Sequence, residues 1–261
     1  RPVPFPGWTL PGVLTAGGAQ NLVKNQRILP GKKILLAGTG PLQLVVAHQL
    51  IQAGADIAAI LEVGDVKGMW LKLMQGMWGN WGYAGDGLRY LQTIRKACVP
   101  IMQNHIITRA NGNQHVEEAV IARVDKDWRV IHGTQKSLKV DTVCLGYGLV
   151  TSTELTRLAE CDHEYDSGLG GYVPVRSETM ETTRKGIFAV GDGAGVAGSQ
   201  VALAEGRIAS IAMAQALGHA AGAGQTKTLA ELQKKLARHH RLRQVLDEIS
   251  RPRSGLYELA E

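Results

Sequence analysis

The sequence predicts an α/β protein: a doubly wound parallel sheet with an inserted β-meander, then part of a second, smaller unit and a helical tail. Three observations predict it. Residues 34–37, Ile-Leu-Leu-Ala, make a short apolar run ending in glycine, as a strand buried on both faces does. A helical stretch over 42–53, stopped by Gly54, and a second apolar run over 57–61 follow in strand–helix–strand order. Short segments at 119–124, 128–132 and 138–145, separated by Asp125-Lys126-Asp127 and Gly133-Thr134, supply the meander.

The first unit carries chemistry at its turn. Gly38-Thr39-Gly40 exposes backbone N–H groups at the start of the helix that Pro41 and Leu42 open, and these donors with the helix dipole favour a pyrophosphate. Glu62 ends the second strand about 20 residues beyond the turn, where a carboxylate accepts hydrogen bonds from a ribose diol. Strand, turn, helix, strand and acid in this order make a Rossmann-like site for NAD or another adenine nucleotide. Gln43 departs from the pattern by standing where a third glycine normally lets helix and strand pack closely, so the helix stands off or Gln43 turns toward the ligand. The alternative is a doubly wound unit that packs a domain and holds no nucleotide.

Composition narrows the function classes. The chain has 261 residues, enough for one large or two medium domains, and 44% are hydrophobic. No run of 18 apolar residues is present, so no transmembrane helix is expected, and no signal peptide is expected either. Cys98, Cys144 and Cys161 show no C-x-x-C or metal spacing, which points to a reduced, cytoplasmic setting and to no metal. The formal charge of +6 is modest, and the basic cluster at 234–243 lacks interleaved aromatics, so nucleic acid is not an expected partner.

In chain order, residues 1–30 read as an entry segment. Pro2, Pro4, Pro6 and Pro11 favour extended backbone, with a short helix over 15–26 and a turn at Pro30-Gly31. Trp70, Leu73, Met74, Met77, Trp78 and Trp81 recur at helical spacing, interrupted by Gly76, Gly79 and Gly82. This stripe is either core packing or an adaptable contact surface for a partner. A helix over 88–97 and a strand within 99–107 precede the meander. His105, His115 and His132 share no spacing and read as surface or capping residues. Gly146-Tyr147-Gly148 closes the first domain, 31–147, and Gly146 and Gly148 count with its cofactor site. Residues 148–217 form the second domain, and 218–261 a flexible linker with a helix that Thr228 and Glu231 cap as a box.

The second motif lies at 187–195. An apolar strand over 187–190 runs into Gly191-Asp192-Gly193-Ala194-Gly195, and a helix of small and apolar residues extends from about 199 to 217. Glycines allow close backbone approach, Asp192 offers an acceptor to a sugar-alcohol hydroxyl, and the helix N-terminus favours negative charge. A solvent-exposed Asx turn is the plain alternative.

Four stretches carry a resemblance to a known family. PFPGWTLPGVLTAGGAQNLVKN resembles the outgoing crossover between the two nucleotide domains of pyridine nucleotide-disulfide oxidoreductases, and DTVCLGYGLVTSTEL the return crossover, with Ser152 where the family usually has Asn. IFAVGDGAGVAGSQVALAEGRIA resembles the family's flavin-ribityl motif, and SGLYELAE a stretch that precedes a Cys-rich segment. Within the family the chain is most similar to the alpha subunits of heteromeric opine, proline or hydroxyproline dehydrogenases and of hydrogen cyanide synthase. The resemblance implies that 148–217 is the C-terminal portion of an FAD-binding domain, with Asp192 on the ribityl chain beside Gly191 and the Val201 end of the helix toward the flavin. It implies FAD and NAD as cofactors, a missing N-terminal FAD half, and a partner beta subunit that oxidises the amine while this subunit relays electrons. Location would be cytoplasmic, or at a membrane through the complex. No residue reads as a catalytic base. A stand-alone NADH-dependent flavin reductase and a non-catalytic nucleotide-binding scaffold are the alternatives.

Overall fold

The computed structural model describes residues 3–65, 68–79, 81–219 and 222–260. They form two compact units: Arg1–Trp70, Trp81–Gly148 and Ile249–Glu261 in the first, Leu71–Asn80 and Leu149–Glu248 in the second.

The first unit is three-layered around a five-stranded parallel sheet. In chain order it holds β1 (Val13–Thr15), α1 (Ala16–Asn21), β2 (Lys33–Gly38), α2 (Leu42–Gln52) and β3 (Asp56–Glu62). After α3 (Trp70–Met77) come α4 (Trp81–Lys96), β4 (Ile101–Gln103), β5 (His105–Asn111), β6 (Glu118–Arg123), β7 (Lys136–Lys139) and β8 (Thr142–Gly146). The sheet order is β1-β8-β2-β3-β4, and β5-β6-β7 make a separate antiparallel sheet. Alternation along β2 builds both cores. Ile34 and Leu36 pack with Val46, Ala47 and Leu50 of α2 and Ile94 of α4, while Leu35 and Ala37 pack with Ile106, Ala119 and Ile121 of the meander. A strand covered on both faces has no polar side to show, which is why 34–37 is apolar throughout.

Several expected elements differ in detail. The entry segment includes a strand, β1, paired in parallel with β8, and the helix after it ends in a π-helical turn over Leu22–Gln26. The expected strand in 99–107 is two strands, because Asn104 takes φ +55 and redirects the chain from the parallel sheet into the meander. Residues 128–132 form no strand. Trp128 turns at φ +66 to bury its ring, and the Asp125 carboxylate accepts the N–H groups of Asp127 and Arg129. The run 138–145 splits at Asp141, whose carboxylate accepts the N–H groups of Lys32 and Lys33 at 3.0–3.2 Å.

The second unit has no parallel sheet among its described residues. It contains α5 (Glu154–Leu158), a hairpin of β9 (His163–Asp166) and β10 (Gly171–Pro174), α6 (Ser199–Ala216) and most of α7 (Ala223–Ser250). Residues 187–190 are extended but join no ladder; an isolated bridge from Phe188 to Glu181 is their β contact. The core is one cluster in which Val201, Ala204 and Ile208 of α6 meet Leu232 and Leu236 of α7. The expected linker over 218–224 is shorter, since α7 begins at Ala223; Thr228 lies inside the helix, its hydroxyl donating to the Gly224 carbonyl, and caps nothing. The aromatic and Met stripe is not a buried core: Met74 and Trp78 are exposed, and Leu73 and Met77 are half-buried. The side chains of Trp70 and Trp81 lie outside the described residues.

Candidate functional site

Register sets the glycine turn in place. β2 pairs with β3 and β8 so that Gly38 lies opposite Glu62 on one side and Gly146 on the other. Chain connections diverge between β2 and β8, and doubly wound sheets take ligands in the crevice at the C-terminal ends of such a pair. Gly38 has no room for a side chain, since a β-carbon there would stand 2.3 Å from the Gly146 carbonyl oxygen. Gly40 adopts φ +85 to turn the chain into α2, and Gly148 leaves the crevice at φ +99.

The N–H groups of the turn are almost all assigned. Thr39 donates to the Gly146 carbonyl at 3.0 Å and Gly40 to Glu62 Oε2 at 3.0 Å, while Pro41 has none to give. Leu42 and Gln43 open α2 with N–H groups that have no partner among the described residues. Those two donors and the helix dipole are what a phosphate would meet.

Glu62 is folded back onto the turn. Besides the Gly40 contact, its Oε1 accepts the Gly64 N–H at 2.8 Å. Burial pushes its carboxyl from an ordinary 4.5 up to about 7, against the opposing pull of the Gly64 N–H, Thr39, the Gly40 N–H and Gln43. Gln43 resolves the departure from the glycine pattern by pointing inward, its Nε2 donating to the Leu61 carbonyl at 3.1 Å. Three buried oxygens nearby, Thr39 Oγ1, Gln43 Oε1 and the Tyr147 hydroxyl, have no hydrogen-bond partner in good geometry among the described residues. Buried polar atoms are rarely left unpaired, so this is chemistry that fits a hydroxyl-rich, phosphate-bearing ligand.

The second cluster lies in the second unit. Gly191 turns at φ +62 and Gly191–Gly193 form a 3₁₀ turn; the Asp192 side chain is exposed, and its carbonyl accepts the Ser152 N–H at 3.2 Å. An exposed carboxylate beside this turn fits a polyol chain. Val201 itself is buried in the core cluster, so the start of α6 offers its backbone and dipole instead of that side chain. The support beneath the turn was not apparent from the sequence. Glu205 of α6 accepts the Gly191 N–H at 2.8 Å through Oε2 and the Arg176 guanidinium at 2.6 Å through Oε1. Arg176 also donates to the Ala189 carbonyl at 3.0 Å, so one buried ion pair secures both sides of the turn. Arg176 lies 29 residues from its partner, and no local pattern marks the pairing.

The three cysteines are free. Cys98 is exposed, while Cys144 and Cys161 are buried, and burial pushes the Cys144 thiol up to about 12. No group of three or more metal-ligating side chains occurs among the described residues, and none of their helices is long and apolar enough to cross a membrane.

Comparison with known proteins adds to this geometry. The family model described as pyridine nucleotide-disulphide oxidoreductase matches residues 8–218. An opine oxidase subunit of Rhizobium meliloti is 32% identical over 98% of this chain and 47% of its own length. Hydrogen cyanide synthase subunit HcnB of Pseudomonas aeruginosa is 30% identical over 82% of this chain and 46% of its own. A FAD-dependent pyridine nucleotide-disulphide oxidoreductase from Desulfovibrio vulgaris superposes with a TM-score of 0.56 at 21% identity, over 85% of this chain and 52% of that one. The chain spans about half the length of the curated relatives it matches.

Proposed function

Because the chain belongs to the pyridine nucleotide-disulphide oxidoreductases, a family of FAD- and NAD(P)-binding enzymes, we propose that it is part of the flavin- and dinucleotide-binding subunit of a heteromeric amine dehydrogenase. The observation that carries this reading is the similarity to the Rhizobium meliloti opine oxidase subunit along nearly the whole chain. The substrate class is an opine, imino acid or amino acid, oxidised on a partner oxidoreductase subunit whose electrons this subunit relays. Asp192 and the turn at Gly191 would hold the ribityl chain of FAD; the Leu42 and Gln43 N–H groups would hold the phosphate of an adenine nucleotide. Bound flavin supplies the capacity to take up two electrons and pass them on singly. The chain's own residues position and shield: Arg176 and Glu205 fix the turn, and Glu62 and Gln43 fix the glycine crevice.

The carboxylate already on the Gly40 N–H favours a second reading, a scaffold whose nucleotide unit serves assembly. Amine-dependent dye reduction decides between them. The full-length subunit with its partner is expected to reduce the dye with bound flavin turning over, and neither subunit alone to do so. A complex free of flavin would support the scaffold, and NADH-driven turnover without a partner would support a stand-alone reductase.

A further inference from the structure

The glycine crevice of the first unit is covered by the chain itself. A β-carbon built on Gly40 would lie 3.3 Å from Ser250 Oγ and 3.4 Å from its Cβ; one on Gly64 would lie 2.9 Å from the Ile249 carbonyl oxygen. Both residues close α7, more than 180 positions away in sequence. Ile249 is buried, and residues 255–258 are tied down on the meander side of the same unit. The Gly255 N–H donates to the Asp127 carbonyl at 3.1 Å, Leu256 is wholly buried in the core that includes Trp128, and Arg129 pairs with Glu258 at 3.1 Å. Beside this segment a cavity of about 270 Å³ is bounded by Val63, Asp65, Asn104, Asp125, Trp128 and Arg253.

We infer that residues 249–250 are an internal occupant of the glycine crevice, held by the anchors at 255–258, and that a dinucleotide enters only when this strap moves aside. The inference rests on the reading of the crevice as a nucleotide site. The strap fills space without meeting the polar need beneath it, for Gln43 Oε1 stays without a partner and the Leu42 and Gln43 N–H groups keep none among the described residues. A ligand with vicinal hydroxyls and a phosphate would satisfy donors and acceptors that the strap leaves bare. Competition between an internal segment and a ligand lowers apparent affinity by the fraction of molecules in which the site is open. Loosening the anchors therefore tightens binding without altering any residue of the crevice.

The test is hydrogen exchange of the whole chain titrated with ADP-ribose, with calorimetry on the same samples. Amides at 39–43 should slow while amides at 249–256 exchange faster over one titration. Leu256→Ala, which removes a core anchor, and Arg129→Gln, which removes only a half-exposed ion pair and spares the core, should tighten ADP-ribose, the first by about tenfold or more. Slowed exchange at 39–43 with unchanged or slower exchange at 249–256 overturns the strap and leaves the nucleotide site standing. Equal affinity in wild type and both variants does the same. If 39–43 gain no protection even in a variant whose strap exchanges freely, the nucleotide reading falls and the strap with it.

Discussion

The two units bury their apolar residues in opposite ways. In the first, the parallel sheet is covered on one face by helices and on the other by the meander, and Ile34, Leu35, Leu36 and Ala37 all lie out of water. In the second, one modest cluster between α6 and α7 does the work, while Leu149, Val150, Tyr165, Tyr172 and Leu203 face solvent and Leu155 and Leu158 are 80% and 81% exposed. The extended run 187–190 lies at the base of the Asp192 turn with no ladder beside it. Among the described residues, twelve large apolar side chains are exposed on the second unit against eight on the first, a difference of degree. The difference teaches that the first unit takes its stability from a sheet buried on both faces, whereas the second rests on a single small cluster and leaves more apolar surface in water.

The largest effect should come from the second unit's ion pair. Arg176→Met leaves the Glu205 carboxylate buried without its cation and should cost about 3–5 kcal/mol in denaturant titration. A cost below about 1 kcal/mol would show that Glu205 is adequately held by the Gly191 N–H alone. In the first unit, Leu36→Ala should cost about 3 kcal/mol, as deletion within a sheet packed on both faces does. Leu155→Ser, at an exposed site of the second unit, should stay within about 0.5 kcal/mol of wild type. Equal losses from Leu36 and Leu155 would erase the contrast between the units.

Glu62 sharpens the comparison through pH. Its carboxyl titrates near 7 in the folded chain against 4.5 when unfolded, so between those values the folded state binds the extra proton. The stabilisation is therefore full below about 4.5 and is lost as pH rises through about 7, up to roughly 3 kcal/mol in all. Glu62→Gln should remove that slope from the first unit's transition. A slope that persists in the variant would assign it to other groups.

Much of this was legible in the sequence, for identifiable reasons. A doubly covered strand must be apolar at every position, so residues 34–37 and 57–61 announced the sheet, and Gly38, Gly40 and Gly54 marked turns that their positive φ or close approach requires. The turn at Gly191 was legible by its glycines, and the family by its motifs. Long-range side-chain choices were not legible. The split at Asp141 depends on the N–H groups of Lys32 and Lys33, more than 100 positions away, and Arg176 finds Glu205 across an intervening turn. The missing third glycine left two outcomes open, a helix standing off or Gln43 turned toward the ligand, and its bond inward to the Leu61 carbonyl is neither; Glu62 closing on Gly40 has no local signature. Strands at 128–132 and 187–190 were expected from local apolar patterning, and local patterning does not say whether a partner strand lies alongside.

The central proposal, that the turn at Gly191 holds the ribityl chain of FAD, turns on Asp192. Its side chain is exposed at the Gly191 turn, so removing it should spare folding, while a hydrogen bond lost to a charged acceptor is worth roughly 1.5–3 kcal/mol of ligand affinity. The measurement is flavin absorbance per protein in the full-length subunit carrying Asp192→Ala, beside thermal melting of the flavin-free form. The account predicts flavin affinity lowered by about tenfold or more with an unchanged apo melting point. Wild-type flavin content with a collapsed apo melting point would contradict it, and would make Asp192 a residue that only shapes a turn.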